Sequence, residues 1–227
     1  MKKFLLAISF LLSGIICWSQ ELSQVKFTGT STLQYFTFIT DQGVHIRVSP
    51  EGNILEWGME ERSIRNDNYY AAKLQPFMGR IDYYGTEADS ITSGKVKSIG
   101  TCWITYYNML ETEEKAGKIK TIGRNTLDYY SRHENVAIQG KLRLVGNMVI
   151  EFHPSYEDEL VRGKLKAIGS TQFVYYNTFD EKFLKGKLKS IGSVNLNYYG
   201  IMDRKEIWGV LKGLNRQNIN GITYILR

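Results

Sequence analysis

Residues 186–208 read GKLKSIGSVNLNYYGIMDRKEIW, and this 23-residue phrase is repeated along the second half of the chain. Copies begin at Gly94, Gly117, Gly140, Gly163 and Gly186, and a sixth, starting at Gly209, is cut short at Arg227. Positions are numbered from each leading Gly. Position three is Val96, Ile119, Leu142, Leu165, Leu188 and Leu211. Position eleven is Ile104, Leu127, Ile150, Phe173, Leu196 and Ile219, and position thirteen is Tyr106, Tyr129, Phe152, Tyr175 and Tyr198. Position five is mostly small, with Leu144 the exception. These odd positions share one face at the strand period of two. A helical template fits them less well, and Val, Ile, Thr and Tyr favour strand.

Position seven is Gly100, Gly123, Gly146, Gly169, Gly192 and then Asn215, residue types that tolerate positive φ and so mark a turn. A three-residue loop over positions seven to nine sets three against thirteen and five against eleven, keeping the apolar side chains together. A two-residue loop would set Leu188 against Asn197. A second short turn is expected near position eighteen (Glu111, Glu134, Glu157, Asp180, Asp203), setting eleven against three of the next copy and Tyr at thirteen over the next leading Gly. The expected fold is all-β: an antiparallel meander of 23-residue β-hairpin repeats, closed as a sandwich or flattened barrel. A β-solenoid of stacked coils is the alternative that period alone leaves open.

The other face is read as positions two, four, six, twelve and fourteen. It offers Lys95, Lys97 and Tyr107; Lys118, Lys120 and Tyr130; Lys141, Arg143 and His153; Lys164, Lys166 and Tyr176; Lys187, Lys189 and Tyr199. Two readings are open. The lysines and tyrosines other than those of the Gly140 copy form a binding stripe for an anionic polymer. Or the face is simply solvated, with Lys stems covering Tyr rings and pairing with Asp128 or Glu151.

Outward from the array, Met1 to about Ser19 has a charged start and the apolar run Phe4–Cys17, and reads as a secretory signal. That run is too short to span a bilayer, and no later one is long enough for a transmembrane helix. Cleavage before Gln20 would lower the formal charge from +6 by the two lysines Lys2 and Lys3. The mature chain would keep one cysteine, Cys102, so no internal disulfide supports the fold. Residues 20–70 are strand-like but off the repeat. They include a hairpin from Leu33 to Val48 and are expected to cap the array's open edge, with 71–227 as the array.

The GKLKS-x-G and Tyr-Tyr elements resemble those of MORN-like repeats and of choline-binding hairpin repeats. Here Tyr-Tyr falls sooner after the second Gly than in the MORN-like variant. The Gly-Trp start of choline-binding units is absent, and Trp103 and Trp208 occupy unrelated positions. No residue and no function is carried over from either family.

Catalytic signatures are missing: GxGxxG, Walker A, GxSxG and HExxH do not occur. The three histidines, His45, His133 and His153, have no partner at metal-ligand spacing. His153 with Glu157, Asp158 and Glu159 is read as a solvated acidic turn and not a cation site. Cys102 has no base nearby in sequence and is read as a packed thiol. Near-identical copies argue for a surface and against a single catalytic pocket. The expectation is an exported, non-enzymatic repeat protein without cofactor or metal, binding or scaffolding at the cell envelope. Acidic polysaccharide or lipopolysaccharide is the expected partner class, with nucleic acid less favoured. An outer-membrane β-barrel is the alternative, since one apolar and one charged strand face also fits that architecture.

Overall fold

The computed structural model describes residues 21–61 and 73–226. The residues read as a secretory signal, 1–19, and the segment from 62 to 72 lie outside the described residues.

Among the described residues eighteen strands form two sheets. The N-terminal region supplies β1 (Glu21–Thr28), β2 (Thr32–Ile39), β3 (Val44–Val48), β4 (Ile54–Glu60) and β5 (Leu74–Gln75). The array supplies β6 (Ile81–Tyr83), β7 (Val96–Ile99), β8 (Cys102–Tyr106), β9 (Ile119–Ile122), β10 (Asn125–Tyr129), β11 (Leu142–Val145), β12 (Met148–Phe152), β13 (Leu165–Ile168), β14 (Thr171–Tyr175), β15 (Leu188–Ile191) and β16 (Val194–Asn195). The chain ends in β17 (Arg216–Ile219) and β18 (Ile222–Leu226). Strands β6 to β16 make an eleven-stranded antiparallel meander in sequence order. The seven-stranded sheet has the order β17-β18-β1-β2-β3-β4-β5, with β18 parallel to β1. The meander expectation therefore holds for the array. Ile81, Tyr83 and Tyr84 belong to it as a degenerate copy in step with the others, since Ile81 pairs with Ile99 and Tyr83 with Val96.

The register differs from the sequence reading. Each hairpin turns on two residues, not three: Ile191 pairs with Val194 and Ser190 with Asn195. Gly192 alone carries the positive φ this loop needs, at 53°, as a two-residue turn with Gly first requires. Between copies, eleven pairs with six of the next copy (Phe173 with Ile191) and thirteen with three (Tyr175 with Leu188). The extra residue is Lys189, opposite no partner, so position four sits on a β-bulge wherever one copy pairs with the next. A bulge reverses the alternation beyond it. Positions three and six thus face the same way, and Ile99, Ile122, Val145, Ile168 and Ile191 are buried where a wet position was expected. Position five turns to the other face, opposite positions ten and twelve, where Ser98 and Ala167 are buried and Thr121, Leu144 and Ser190 are half-exposed.

The second turn is also longer than expected. Backbone pairing continues to position fourteen, where Tyr107 donates to Lys118 and accepts from Gly117. Between them the chain makes one helical turn, with Ala116 donating back to Thr112. It leaves that turn through the leading Gly, at φ 76° for Gly117. At Gly209 a Cβ would stand 2.4 Å from the Phe183 carbonyl, so glycine is required there by space as well as by backbone conformation.

The N-terminal strands do not cap an edge. They cover the array's apolar face, and the two sheets share one core in which Phe27 meets Phe173 at 5.7 Å and Phe173 meets Tyr224 at 5.5 Å between ring centroids. The bulge contributes to the joint. At position three the amides of Ile119, Leu142 and Leu188 donate to the carbonyls of Gly52, Pro50 and Thr30 in turns of the seven-stranded sheet. The last copy leaves the array: its hairpin turns at Asn220-Gly221, not at Asn215, and joins β1. The result is a two-sheet sandwich. Array strands of two to five residues fall short of the roughly 9–11 that a membrane-spanning strand uses. No helix among the described residues is long and apolar enough to cross a membrane.

Candidate functional site

The bulged register sorts the lysines and tyrosines of the stripe into three groups with different work. Position-two lysines are half-buried. Nζ of Lys95, Lys118, Lys141, Lys164 and Lys187 donates to the carbonyl of the next copy's leading Gly, from Gly117 to Gly209. Each also stands over the position-thirteen ring of its own copy, Lys118 over Tyr129 at 5.0 Å and Lys187 over Tyr198 at 5.7 Å. Burial lowers the pKa of all five from the usual lysine value. These are ties between copies.

Position-fourteen tyrosines are also used internally. Tyr107 and Tyr130 donate their hydroxyls to the carbonyls of Leu127 and Ile150 in the following copy, at 2.9 and 2.8 Å. Their rings meet the next copy's position-thirteen ring edge-on: Tyr107 with Tyr129, Tyr130 with Phe152, Tyr176 with Tyr198. Burial raises the pKa of Tyr130 and Tyr176, and burial with the nearby Asp128 and Glu111 pushes Tyr107 up to about 12. Tyr199, at the end of the array, has Lys212 over its ring at 4.7 Å.

Position four remains as the accessible set. Lys97, Lys120, Arg143, Lys166 and Lys189 lie on the bulge, half-exposed or exposed. The ammonium groups of Lys97, Lys120 and Lys189 stand over the previous copy's position-fourteen ring, Tyr84, Tyr107 and Tyr176, at 5.5 to 5.7 Å from the centroid. Since each hairpin advances the sheet by two strand spacings, these cations recur about every 10 Å. Carboxylates interrupt the row: Asp128 binds Lys115, and Glu157 binds Lys166 at 3.1 Å.

Glu157 also pairs with Nδ1 of His153. Partial burial would raise the Glu157 pKa, but hydrogen bonds from His153 and Lys166 outweigh it and hold the carboxyl below its usual range. Asp158 instead accepts from the amide and hydroxyl of Thr178 in the next loop, at 3.2 and 2.9 Å, so it is turned away from that pair. Among the described residues no group of three or more His, Cys, Asp or Glu could hold a metal. Cys102 is buried, and burial with the field of Asp41 pushes its thiol up to about 11. It is a protonated core side chain at neutral pH, the opposite of an activated nucleophile.

One surface feature escaped the sequence reading. In four of the five full copies position seventeen carries a large apolar or aromatic residue, Leu110, Tyr156, Phe179 and Met202, each at least 83 % exposed at its loop; His133 stands there in the Gly117 copy. Their common offset from the leading Gly is visible in sequence, but only the loop geometry shows that they project. No protein-family model, no curated protein and no solved structure matches this chain.

Proposed function

We propose that the protein is an exported, non-enzymatic β-repeat scaffold that holds an anionic polymer of the cell envelope, acidic polysaccharide or lipopolysaccharide, along its array. The observation that carries this reading is the position-four row, one accessible cation per hairpin at a fixed interval. A flexible polyanion meets such a row by many weak contacts whose sum grows with the number of copies engaged. Each contact is solvent-exposed, so the total falls steeply with added salt. The binding set narrows accordingly to Lys97, Lys120, Arg143, Lys166 and Lys189. Lys95, Lys118, Lys164 and Lys187, and the position-fourteen tyrosines, act as supports.

The test replaces Lys97, Lys120, Arg143 and Lys189 together with Gln. The expected outcome is loss of salt-sensitive retention on immobilised acidic glycan or lipopolysaccharide, with circular dichroism and melting temperature kept near wild type. Retention that is unchanged in this variant, or absent from the wild type at low salt, would overturn the reading. Export is checked separately by N-terminal sequencing of the cellular protein, with Gln20 as the expected first residue.

A further inference from the structure

The seven-stranded sheet is curled around its polar face. Glu60 on β4 accepts from Nη2 of Arg216 on β17 at 3.0 Å and from Nε2 of Gln24 on β1 at 3.2 Å. Five strand steps separate β4 from β17 in the sheet order. In a flat sheet that is about 24 Å, well beyond the reach of two side chains. The face bearing these residues is therefore concave, while the opposite face, with Phe36, Phe38 and Ile46, packs on the array.

Inside the curl lie buried polar groups that the described residues leave incomplete. Tyr35 and Thr37 alternate on one face of β2, and Thr37 pairs directly with Arg47 on β3 and Gln24 on β1. His45 is two residues from Arg47 on the same strand face, with Nε2 3.6 Å from Glu60. Tyr35, Thr37 and His45 are 4 %, 0 % and 6 % exposed. Yet among the described residues Tyr35 Oη, Thr37 Oγ1, His45 Nδ1 and Arg216 Nε have no hydrogen-bond partner. Four such atoms in one patch are costly to leave unsatisfied, at about 1–3 kcal/mol each.

The charges say what would complete them. Lys26, Arg47 and Arg216 face Glu56 and Glu60. Among the described residues Arg47 is paired with Glu56 and Arg216 with Glu60, which leaves Lys26 as the one cation in excess of these carboxylates. The unused atoms include two hydroxyls and a guanidinium N–H, all able to donate. Arg216 and Glu60 keep 24 % and 21 % of their side chains exposed, so the concavity opens on that side.

We propose that this concave face is a binding site for a small oxyanion, a carboxylate or a phosphate group, held by Tyr35, Thr37, His45 and Arg216. A single negative charge balances the excess cation, and its oxygens accept from the hydroxyls and from Arg216 Nε. The site is separate from the position-four row and does not depend on it.

The experiment is titration calorimetry of the full chain with inorganic phosphate and, separately, with acetate, against chloride at matched ionic strength, accompanied by thermal melts. Saturable one-to-one binding of at least one anion is expected, with a rise in melting temperature by mass action. Binding of phosphate alone identifies a phosphoryl ligand; binding of acetate identifies a carboxylate. Thr37→Val and Tyr35→Phe remove only hydroxyls and should each weaken binding about tenfold, equivalent to about 1.4 kcal/mol. Both should melt no lower than wild type in the absence of anion. Arg216→Gln should abolish binding, and Lys185→Gln, at an exposed lysine outside both the row and the concave face, should leave it unchanged. No saturable heat with either anion, or binding that survives both Thr37→Val and Arg216→Gln, would overturn the proposal.

Discussion

Tyr129 donates its hydroxyl to the carbonyl of Ile119, ten residues earlier in the same copy, across 2.8 Å. The side chain is 1 % exposed, and a Cβ on Gly52 would overlap its ring. Tyr106 and Tyr198 make the same bond to Val96 and Leu188 in their own copies. Tyr129→Phe should therefore cost about 1–3 kcal/mol by leaving a buried carbonyl short of a partner. Urea unfolding should show a lower midpoint with an unchanged slope.

The bulge makes a prediction that separates the two registers. Ile191, at position six, is 0 % exposed, whereas Ser190 faces outward. Ile191→Ala should cost about 2–5 kcal/mol through lost contacts and the cavity left behind. Ser190→Ala should stay within about 0.5 kcal/mol. A three-residue turn would have reversed that order.

Lysines two residues apart should behave differently. Lys118 ties its copy to the Gly140 carbonyl, while Lys120 lies exposed across the Tyr107 ring. Lys118→Met should lose about 1 kcal/mol of stability, and Lys120→Met should change it by less than about 0.5 kcal/mol. Chemical denaturation of the two variants side by side is the check.

Alkali should unfold the protein. Burial is the main cause that pushes Cys102 up to about 11 and Tyr107 and Tyr198 up to about 12. For each group the native state holds its proton more tightly than the unfolded chain does. Their contribution is thus complete below their ordinary values of 9.0 and 10.0, and is lost as pH climbs through the folded ones. Melting temperature should be flat at neutral pH and fall increasingly above about pH 9–10. Ultraviolet absorbance should show tyrosinate appearing together with unfolding. A thiol reagent should label Cys102 only in the unfolded chain.

Periodicity alone exposed the repeat, the hairpins, the positive φ of Gly123, Gly146 and Gly169, and the buried roles of positions three, eleven and thirteen. Position six was misplaced because a bulge has no residue signature of its own. Lys189 is as ordinary on a bulge as on a regular strand, and strict alternation carries the error to Ile191. The lysine stripe read from sequence mixes two kinds of residue for a related reason. Lys118 and Lys120 look alike in sequence, but only the return of the chain through Gly140 gives the first an internal acceptor. The concave polar patch could not be read at all. His45 and Arg47 alternate with Val44, Ile46 and Val48 as an ordinary wet face would, and nothing local announces that Arg216 will arrive beside Glu60.

The parallel pairing of β1 with β18 has a mechanical consequence. Force applied through residues 21 and 226 would pull these two strands in opposite directions along their length. All four registered pairs, from Gln24 with Thr223 to Phe27 with Leu226, would be loaded at once. The antiparallel hairpins of the array, by contrast, unzip bond by bond when peeled. A molecule stretched between these residues should therefore hold at the shear clamp of β1 on β18, and spool out its repeats only after that clamp has slipped.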